Sequence, residues 1–294
     1  MSADPSISQT DIAGVVVLYN SPPDCLENIR TYRAQIDRLY VVDNSPITSP
    51  WITSTLLNDP GIRYYPFPQN VGIATALNVG AQQAISDGYQ YLLTMDDDSR
   101  APANLVSSMI HYLTTNQSDS VGILAPKHIL SALVSEQPTP ERARANEVIT
   151  TMTSGNLVNL AAYKQVGPFD DGLFIDVVDH DFDLRLKAAG YRIVELTNLY
   201  LIHRLGTQKR LPLTSLTFVS HSPARNYYLI RNSILVARHH WKHTPGYSLT
   251  AALTILIEAA KIGLFEDQKL VRLRLVLKAI HDAIRYRKGP LSQD

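Results

Sequence analysis

Three consecutive carboxylates, Asp96, Asp97 and Asp98, follow a short apolar segment, Tyr91–Met95, that is rich in strand-forming residues. Carboxylates at the end of a buried strand need a cation or hydrogen-bond donors, because their desolvation is costly. Hard oxygen ligands of this kind bind Mg²⁺ or Mn²⁺, and phosphate oxygens usually complete the coordination. The alternative is a solvated acidic turn that favours the N-terminus of the helix expected from Ala101. The motif alone leaves both interpretations open.

A second acidic cluster lies in segment 176–183, which holds four aspartates in eight residues. The apolar spacing predicts a helix on which Asp179 and Asp183 share one face, while Asp181 lies elsewhere. An acidic first turn paired with Arg185 explains one or two of these acids more easily than all four. Carboxylates held beside one another and beside apolar side chains have raised pKa values, as a general base near neutral pH requires.

The segments that must position these acids alternate between strands and helices. This alternation predicts an α/β fold with a right-handed, mostly parallel central sheet flanked by helices. Ligands of such sheets bind beyond the carboxyl ends of the strands, and Asn20, Asp43 and Asp96–Asp98 fall at such ends. The predicted strands are Ile12–Leu18, Leu39–Val42, Gly61–Tyr65, Tyr89–Met95, Gly122–Pro126 and Tyr191–Val194, and a variable loop is predicted over Lys127–Glu147.

A helix start with a glycine follows the third predicted strand. Asn70 is a candidate capping neighbour for a helix over Gly72–Ser86, and Gly72 allows a close approach of the backbone. The free N–H groups at such a helix N-terminus favour an anion. A plain capped helix explains the same residues equally well.

The composition limits the compartment and the partners. The single cysteine, Cys25, excludes an intramolecular disulfide and favours a reducing compartment. The N-terminal residues lack the basic and apolar regions of a signal peptide. No stretch of about 18–20 apolar residues is free of charges, so a membrane-spanning helix is not expected.

The formal net charge of zero hides a marked asymmetry along the chain. Residues 203–294 carry 15 lysines and arginines against 5 aspartates and glutamates, whereas residues 1–202 carry 12 against 22. Helices are predicted over Ser222–His240 and Ser248–Gly263, followed by a basic amphipathic helix over Leu270–Ile284. This tail packs on the catalytic part, on a second subunit, or on an anionic membrane surface. Nucleic-acid binding is not expected, because the basic residues lie on an apolar helical tail.

Together these segments resemble the family 2 inverting glycosyltransferases of the GT-A fold. The resemblance runs in order from Gly14 to Asn232 and is greatest to bacterial rhamnosyltransferases that use dTDP-L-rhamnose. The matching segments are VVVLYN, VVDNSP, QNVGIATALNVG, LLTMDDDS, TSGNLV, GPFDDGLFIDVVDHDFDLRLKAAGYRI, LIHRLGT and RNYYLIRN.

The resemblance assigns roles to individual residues. It implies that Asp179 is the catalytic base, with Asp181 as the alternative, and that Asp96, Asp98 and His203 bind a divalent metal, Mg²⁺ or Mn²⁺. His203 is placed in a loop after the last predicted strand, and Asp97 is the spacer within the metal motif. Lys209, Arg210, Arg225 and Arg231 supply positive charge for a diphosphate. The implied nucleotide-sugar site comprises Tyr19, Asn20, Asp43 (on the base), Asn70, Gly72, Asn78, Asp96, Asp97, Lys209 and Arg231.

The sequence thus predicts a GT-A catalytic domain over residues 1–215 and a helical, basic region over 216–294. The expected reaction transfers L-rhamnose from dTDP-L-rhamnose to a saccharide or lipid-linked acceptor of a cell-surface glycan or glycolipid. The expected location is the cytoplasm, with peripheral contact to the inner face of the membrane, and a homodimer is an open alternative. A UDP- or GDP-sugar donor is the closest rival. A sugar nucleotidyltransferase is remote, because segment 20–24 lacks the glycine and lysine of a triphosphate loop.

Overall fold

The computed structural model describes residues 7–116, 120–130, 144–203, 208–210 and 217–292. Nine strands form one mixed sheet in the order β3-β2-β1-β4-β8-β6-β9-β5, with β7 paired to β9, and β10 pairs with β11. The strands are β1 (Ile12–Leu18), β2 (Arg38–Asp43), β3 (Ile62–Pro66), β4 (Tyr91–Asp96), β5 (Ser99–Arg100), β6 (Val121–Leu130), β7 (Ala145–Val148), β8 (Asn156–Asn159), β9 (Arg192–His203), β10 (Gln208–Arg210) and β11 (Thr217–Val219). The helices are α1 (Cys25–Arg33), α2 (Pro50–Thr55), α3 (Ile73–Ser86), α4 (Leu105–Thr115), α5 (Leu160–Val166), α6 (Val178–Ala188), α7 (Pro223–His240), α8 (Pro245–Leu264) and α9 (Lys269–Ile284).

The first half of the sheet is parallel, as predicted. Strand β1 pairs in parallel with β2 on one side and β4 on the other, and β2 pairs in parallel with β3. All of β1 except Val17 is buried, because helices cover both faces of the sheet. Helix α3 lies so close to β1 that a Cβ on Gly80 would meet Val15. These parallel strands bring their carboxyl ends, including Asp43 and Asp96, to one edge of the sheet.

The second half of the sheet differs from the mostly parallel prediction. Strand β8 runs antiparallel to both β4 and β6, and β5 runs antiparallel to β9. Strand β9 continues to His203, whereas the strand predicted from the sequence ends at Val194 and leaves His203 in a loop. The extension exists because β9 pairs with β6 as far as Leu130, across a bulge between Pro126 and Lys127. The sheet register therefore fixes His203 opposite Ser99.

The predicted loop over 127–147 is wrong at both ends. Residues 127–130 complete β6, and residues 145–147 belong to β7, which pairs with β9. The rest of that prediction, residues 131–143, lies outside the described residues, as do residues 204–207 of the predicted loop after His203.

The C-terminal helices pack around α7. Helix α7 contacts both α8 and α9, and the side chain of Ser222 caps its N-terminus by accepting a hydrogen bond from the Arg225 N–H. All three helices were predicted within a few residues of their ends. The predicted domain boundary at 215/216 lies outside the described residues and stays a prediction.

Within the part of the chain that the structure describes, α8 is long and apolar enough to cross a membrane by length and composition alone. Such a helix was not expected from the sequence, because the apolar stretch is interrupted by the charged residues Glu258 and Lys261. These two side chains form an ion pair with a distance of 2.6 Å between Nζ and the carboxylate. Only 17% of the most apolar part of α8 is buried, so it is not a core helix.

Candidate active site

A cavity of about 680 Å³ lies beyond the carboxyl ends of β1 and β4 and is bounded by the start of α6 and by α7. Both acidic clusters contribute to it. The predicted site residues in its lining are Tyr19, Asn70, Gly72, Asp96, Asp97, Asp98, Asp179, His203 and Arg225. Of the predicted residues whose side chains the structure describes, five lie outside this lining: Asn20, Asp43, Asn78, Asp181 and Arg231.

Asp96, Asp98 and His203 form a cluster on one side of the cavity. One ligand atom from each lies within 4.8 Å of the others, and His203 Nδ1 is 3.2 Å from an Asp98 carboxylate oxygen. Two carboxylates and one imidazole form a donor set that suits Mn²⁺ or Mg²⁺. The residues predicted to bind a metal are thus brought together, although they come from β4, the turn after it, and the end of β9.

Hydrogen bonds between three strands (β4, β5 and β9) and the turn before β8 hold this cluster in place. The Asp96 N–H donates to Ser154 Oγ (3.0 Å), and the Ser154 hydroxyl donates to Ser99 Oγ (2.8 Å). Ser99 Oγ lies 2.8 Å from His203 Nδ1. Ser154 and Ser99 orient Asp96 and His203 from behind, as residues around a metal site commonly do. Ser99 was not among the site residues predicted from the sequence.

The electrostatics of the cluster favour a bound cation. Burial, together with the charges of Asp98 and Asp97, raises the pKa of Asp96 to about 7, although His203 opposes this shift. Burial lowers the pKa of His203, but the Asp98 and Asp96 carboxylates outweigh it, so that the pKa lies above the usual value. The protein alone therefore leaves unfavourable negative charge at this position.

Asp97 is held away from the other two carboxylates. The Ser21 hydroxyl donates to Asp97 Oδ2, and Asn28 Nδ2 donates to the Asp97 carbonyl (2.9 Å). Burial raises the pKa of Asp97, and the Ser21 hydrogen bond opposes this shift. Asp97 thereby ties the metal motif to the loop after β1, in which half-exposed Tyr19 lines the cavity and Asn20 adopts a left-handed conformation (φ 51°).

Asp43 is buried behind the cavity wall. Its Oδ1 accepts the Ser45 N–H (2.9 Å), and its Oδ2 accepts the Tyr64 hydroxyl (2.7 Å). The adjacent Asn44 lines the cavity and donates to the Gly72 carbonyl (3.2 Å). Asp43 therefore shapes the turn after β2, and its contact with a nucleotide base stays a prediction.

Two N–H groups at the N-terminus of α3 are occupied within the protein, which favours the plain capped helix over the anion site. The Ile73 N–H donates to the Phe174 carbonyl (2.7 Å), and the Gly72 N–H donates to Asn70 Oδ1 (2.9 Å). Gly72 adopts φ 86° and ψ 159°, a region essentially restricted to glycine. A Cβ there would lie 2.6 Å from the Phe174 carbonyl oxygen, so the glycine is required by the segment before α6.

Asp179 and Asp181 lie in different environments. Asp179 faces the cavity, where its Oδ1 accepts the His180 N–H (2.9 Å) and its Oδ2 lies 3.4 Å from Thr153 Oγ1. Asp181 is buried and bonds Arg185 Nε (2.8 Å) and His240 Nε2 (3.0 Å).

Burial raises the pKa of Asp181, but its hydrogen bonds with His240 and Arg185 outweigh burial and hold the pKa below its usual value. Because both Asp181 oxygens are occupied and its side chain lies outside the cavity lining, the geometry favours Asp179 over Asp181 as the base.

Two further predicted contacts are corrected by burial. Arg231 is 1% exposed, and its five N–H groups donate to Asn232 Oδ1, the Tyr227 hydroxyl and the carbonyls of Gly172, Leu173 and Gly289. Asn78 is likewise buried; it donates to the Phe169 carbonyl and Asp171 and accepts from the Tyr163 hydroxyl and the Phe169 N–H. Both side chains position the segment before α6 and have no capacity left for a ligand.

Arg225 is the cationic side chain of α7 that lines the cavity. Its guanidinium pairs with Asp176 at 3.0 Å, and burial raises the pKa of Asp176 while Arg225 opposes that shift. His180 and His221 also line the cavity. Lys209 lies on β10, opposite Phe218 of β11, and its contact with the nucleotide sugar stays a prediction.

Residues 15–154 match the model of the glycosyl transferase family 2. Over 289 residues the chain is 25% identical to the dTDP-rhamnosyl transferase RfbF of Shigella flexneri, which covers 94% of this chain and 96% of the relative. The fold is similar to that of S. aureus TarS (residues 1–349) in complex with UDP-GlcNAc, with a TM-score of 0.64 at 16% identity over 94% of this chain and 81% of that one.

GalNAc-T7, solved with UDP, GalNAc and Mn²⁺, is similar with a TM-score of 0.60 at 12% identity, over 94% of this chain and 57% of that one. These structural neighbours confirm the predicted GT-A fold.

Proposed function

The chain carries a glycosyl transferase family 2 domain, and from this premise we propose that it is an inverting, metal-dependent rhamnosyltransferase. The observation that carries the proposal is that the Asp96–Asp98–His203 cluster and Asp179 line one cavity. Inverting transfer is a single displacement, which needs a base on one side of the sugar and stabilisation of the leaving group on the other. The two acidic clusters supply one group for each task.

In the proposed reaction, Asp179 accepts the proton of an acceptor hydroxyl, whose oxygen attacks the anomeric carbon. The bond between that carbon and the diphosphate oxygen breaks at the same time, and the nucleoside diphosphate leaves with the electron pair from the opposite face. Asp179 is suited to this task because it is only partly buried and has a single close hydrogen-bond donor, the His180 N–H.

Asp96, Asp98 and His203 are the residues that would hold a divalent cation, and their oxygen and nitrogen donors fit it. Such a cation would neutralise the charge that develops on the leaving diphosphate. Arg225 would add a guanidinium from α7, beside Asp176. The protein itself keeps these groups in place through Ser99, Ser154 and the α3 contact with Phe174.

The donor proposed is dTDP-L-rhamnose. The Shigella relative supports this choice, because it matches along nearly its whole length. A UDP-sugar is the second candidate, because the similar TarS structure contains UDP-GlcNAc. The proposed acceptor is a saccharide or a lipid-linked saccharide in cell-surface glycan synthesis, and the proposed location is the cytoplasmic side, where a single buried cysteine is unremarkable.

A product assay against dTDP-L-rhamnose and a panel of UDP- and GDP-sugars tests the proposal. Isothermal titration with dTDP, UDP and GDP, each with Mn²⁺, then isolates the choice of nucleotide. Binding of dTDP with at least about tenfold preference, equivalent to about 1.4 kcal/mol, supports the rhamnose donor. Indifference to dTDP excludes rhamnose while leaving the glycosyltransferase assignment intact.

A further inference from the structure

The outward face of α8 is apolar and uncharged. Its exposed large side chains recur at helical spacing, and Leu256 is 67% exposed. The charged residues of the helix point inward: Glu258 and Lys261 pair with each other, and Lys261 also donates to the Val219 carbonyl (3.1 Å). A surface helix of a soluble domain normally has the opposite arrangement, so this face is built to be covered. The exposed apolar residues of α8 are Leu249, Leu253, Leu256, Ile257 and Leu264.

The corner between α8 and α9 extends this surface. Leu264, Phe265, Leu270 and Val271 are all exposed within eight residues of chain, and Leu270 is 75% exposed. Leu273, Leu277 and Ile284 continue the exposed row along α9. We refer to the exposed apolar residues of α8, the corner and α9 as the α8–α9 face.

The charges beside the α8–α9 face are basic. Lys269, Arg274 and Arg285 are exposed on α9 or at its end. The acidic residue of α9, Asp282, is buried and accepts the Tyr227 hydroxyl (2.8 Å). Neither helix carries an exposed acid. Asp267, at the corner between them, is exposed but pairs with Arg272 Nη2 at 3.0 Å, so the net charge beside the apolar residues is positive.

We propose that the α8–α9 face docks on the surface of an anionic lipid bilayer, with both helices lying in the interface. Apolar side chains beside lysine and arginine match the acyl boundary and the anionic headgroups of such a bilayer. A second copy of the chain is a poorer occupant, because a two-fold contact through this face brings basic α9 residues together. If α8 crossed the membrane, it would have to separate from α7. The two helices are joined by a hydrogen bond that the Ser248 hydroxyl of α8 donates to the Ala237 carbonyl of α7 (2.9 Å).

Docking in this way places the cavity near the lipid surface. Val219, the last residue of β11, lines the cavity and accepts the bond from Lys261 of α8. Phe218 of β11 lies 6.2 Å from Phe265 of the corner, measured between ring centroids. The acceptor class that fits this position is a saccharide on a membrane-embedded lipid, an extension that rests on the proposed function.

Co-sedimentation of the full chain with vesicles tests the docking. We expect binding to vesicles that contain phosphatidylglycerol and at least about tenfold weaker binding to pure phosphatidylcholine vesicles. The Leu256→Gln/Leu270→Gln variant should lose at least about tenfold in affinity for the anionic vesicles. The Arg274→Glu/Arg285→Glu variant should no longer prefer the anionic vesicles to the neutral ones. Ile47→Gln is the matched control, because Ile47 is an equally exposed (82%) apolar residue outside the C-terminal helices.

Three results would overturn the proposal. The first is unchanged vesicle binding in both double variants. The second is a wild-type protein that does not bind vesicles but forms a dimer in light scattering, with the dimer lost in Leu256→Gln/Leu270→Gln. The third is bound protein that resists extraction by alkaline carbonate, which indicates a spanning helix. The assay uses neither nucleotide nor acceptor, so it fails independently of the glycosyltransferase assignment. Circular dichroism spectra and thermal unfolding midpoints close to those of the wild type show that the double variants are folded.

Discussion

Asp179 and Asp181 lie two residues apart on the first turn of α6, but only Asp179 faces the cavity. The Asp181 side chain is closed off by Arg185 from its own helix and by His240 from α7. A structural carboxylate thus anchors α6 to the C-terminal helices, while its neighbour remains open to the cavity. The two residues should therefore respond to substitution in opposite ways.

We expect Asp179→Asn to lower kcat by about 10²- to 10⁴-fold, the usual contribution of a general base. Donor binding should change little, because the amide retains the size of the carboxylate and the metal cluster lies elsewhere. Steady-state kinetics and isothermal titration with dTDP and Mn²⁺ separate the two effects. Wild-type turnover in this variant would remove Asp179 as the base.

Asp181→Asn should instead destabilise the fold by about 3 kcal/mol at pH 7, because it leaves Arg185 and His240 without their buried partner. The pKa of Asp181 is lower in the folded than in the unfolded state. Its contribution to folding stability is therefore fully present above the unfolded-state pKa of about 3.8 and is lost as the pH falls through the folded-state pKa. Urea unfolding of wild type and variant between pH 3 and 8 should show the difference shrinking at acid pH.

Asp183→Asn is the control for this pH dependence. Burial raises the pKa of Asp183 well above its usual value, although the Thr151 N–H donates to it (2.7 Å). A carboxyl group whose pKa is raised in the folded state stabilises the fold when the pH is below its unfolded-state pKa. This contribution is lost as the pH rises through the folded-state pKa. The stability of Asp183→Asn relative to wild type should therefore improve with rising pH, the reverse of Asp181→Asn. The same trend in both variants would contradict the assignment of Asp181 as an ion-paired anchor.

The parts of the site that could be predicted from the sequence are those fixed by local strand patterns. Apolar strands that end in Asp96 and Asp98 place these carboxylates at the sheet edge, whatever the rest of the chain does. The choice between Asp179 and Asp181 was beyond sequence reasoning, because it depends on His240, which lies 59 residues further along the chain. The buried role of Arg231 depends likewise on the Gly289 carbonyl, 58 residues away.

The extension of β9 shows a similar limit. The run after Val194 alternates less clearly than a buried strand, and its pairing with β6 crosses a bulge. Only the long-range register with β5 shows that His203 lies opposite Ser99. The family resemblance therefore predicted that His203 lies near Asp98, whereas the periodicity of the sequence did not.

His203→Ala should weaken Mn²⁺ binding by at least about 100-fold, since it removes one of three clustered ligand groups. Isothermal titration of Mn²⁺ in the presence of dTDP measures the change. His180→Ala is the matched control: His180 lines the same cavity but bonds the Tyr247 hydroxyl (3.0 Å) and should leave Mn²⁺ affinity unchanged. Equal losses in the two variants would count against the metal cluster.

Gly72→Ala should destabilise the protein by about 3 kcal/mol and reduce activity, because both φ and the Phe174 carbonyl exclude a Cβ. Displacement of Phe174 also moves the segment that leads into α6 and Asp179. Gly88→Ala is the control, because Gly88 has a similar φ of 89° but no atom within 4 Å of a new Cβ. It should cost about 1 kcal/mol and leave activity intact. Thermal unfolding and kcat measured on both variants separate backbone strain from the clash with Phe174.

Arg225→Gln and Arg231→Gln should divide binding from folding within one helix. Arg225 lines the cavity, so its loss should raise the donor KM by about 10-fold, the worth of one charge-assisted hydrogen bond. The loss of Tm should be smaller than in Arg231→Gln, because the Arg225–Asp176 ion pair is partly exposed. Arg231 is buried and holds the carbonyls of Gly172 and Gly289, so its loss should lower stability by about 3 kcal/mol or more. At a temperature where both variants are folded, only Arg225→Gln should alter donor affinity. A raised KM in Arg231→Gln with an unchanged Tm would contradict the purely structural role of Arg231 and favour its placement in the nucleotide-sugar site.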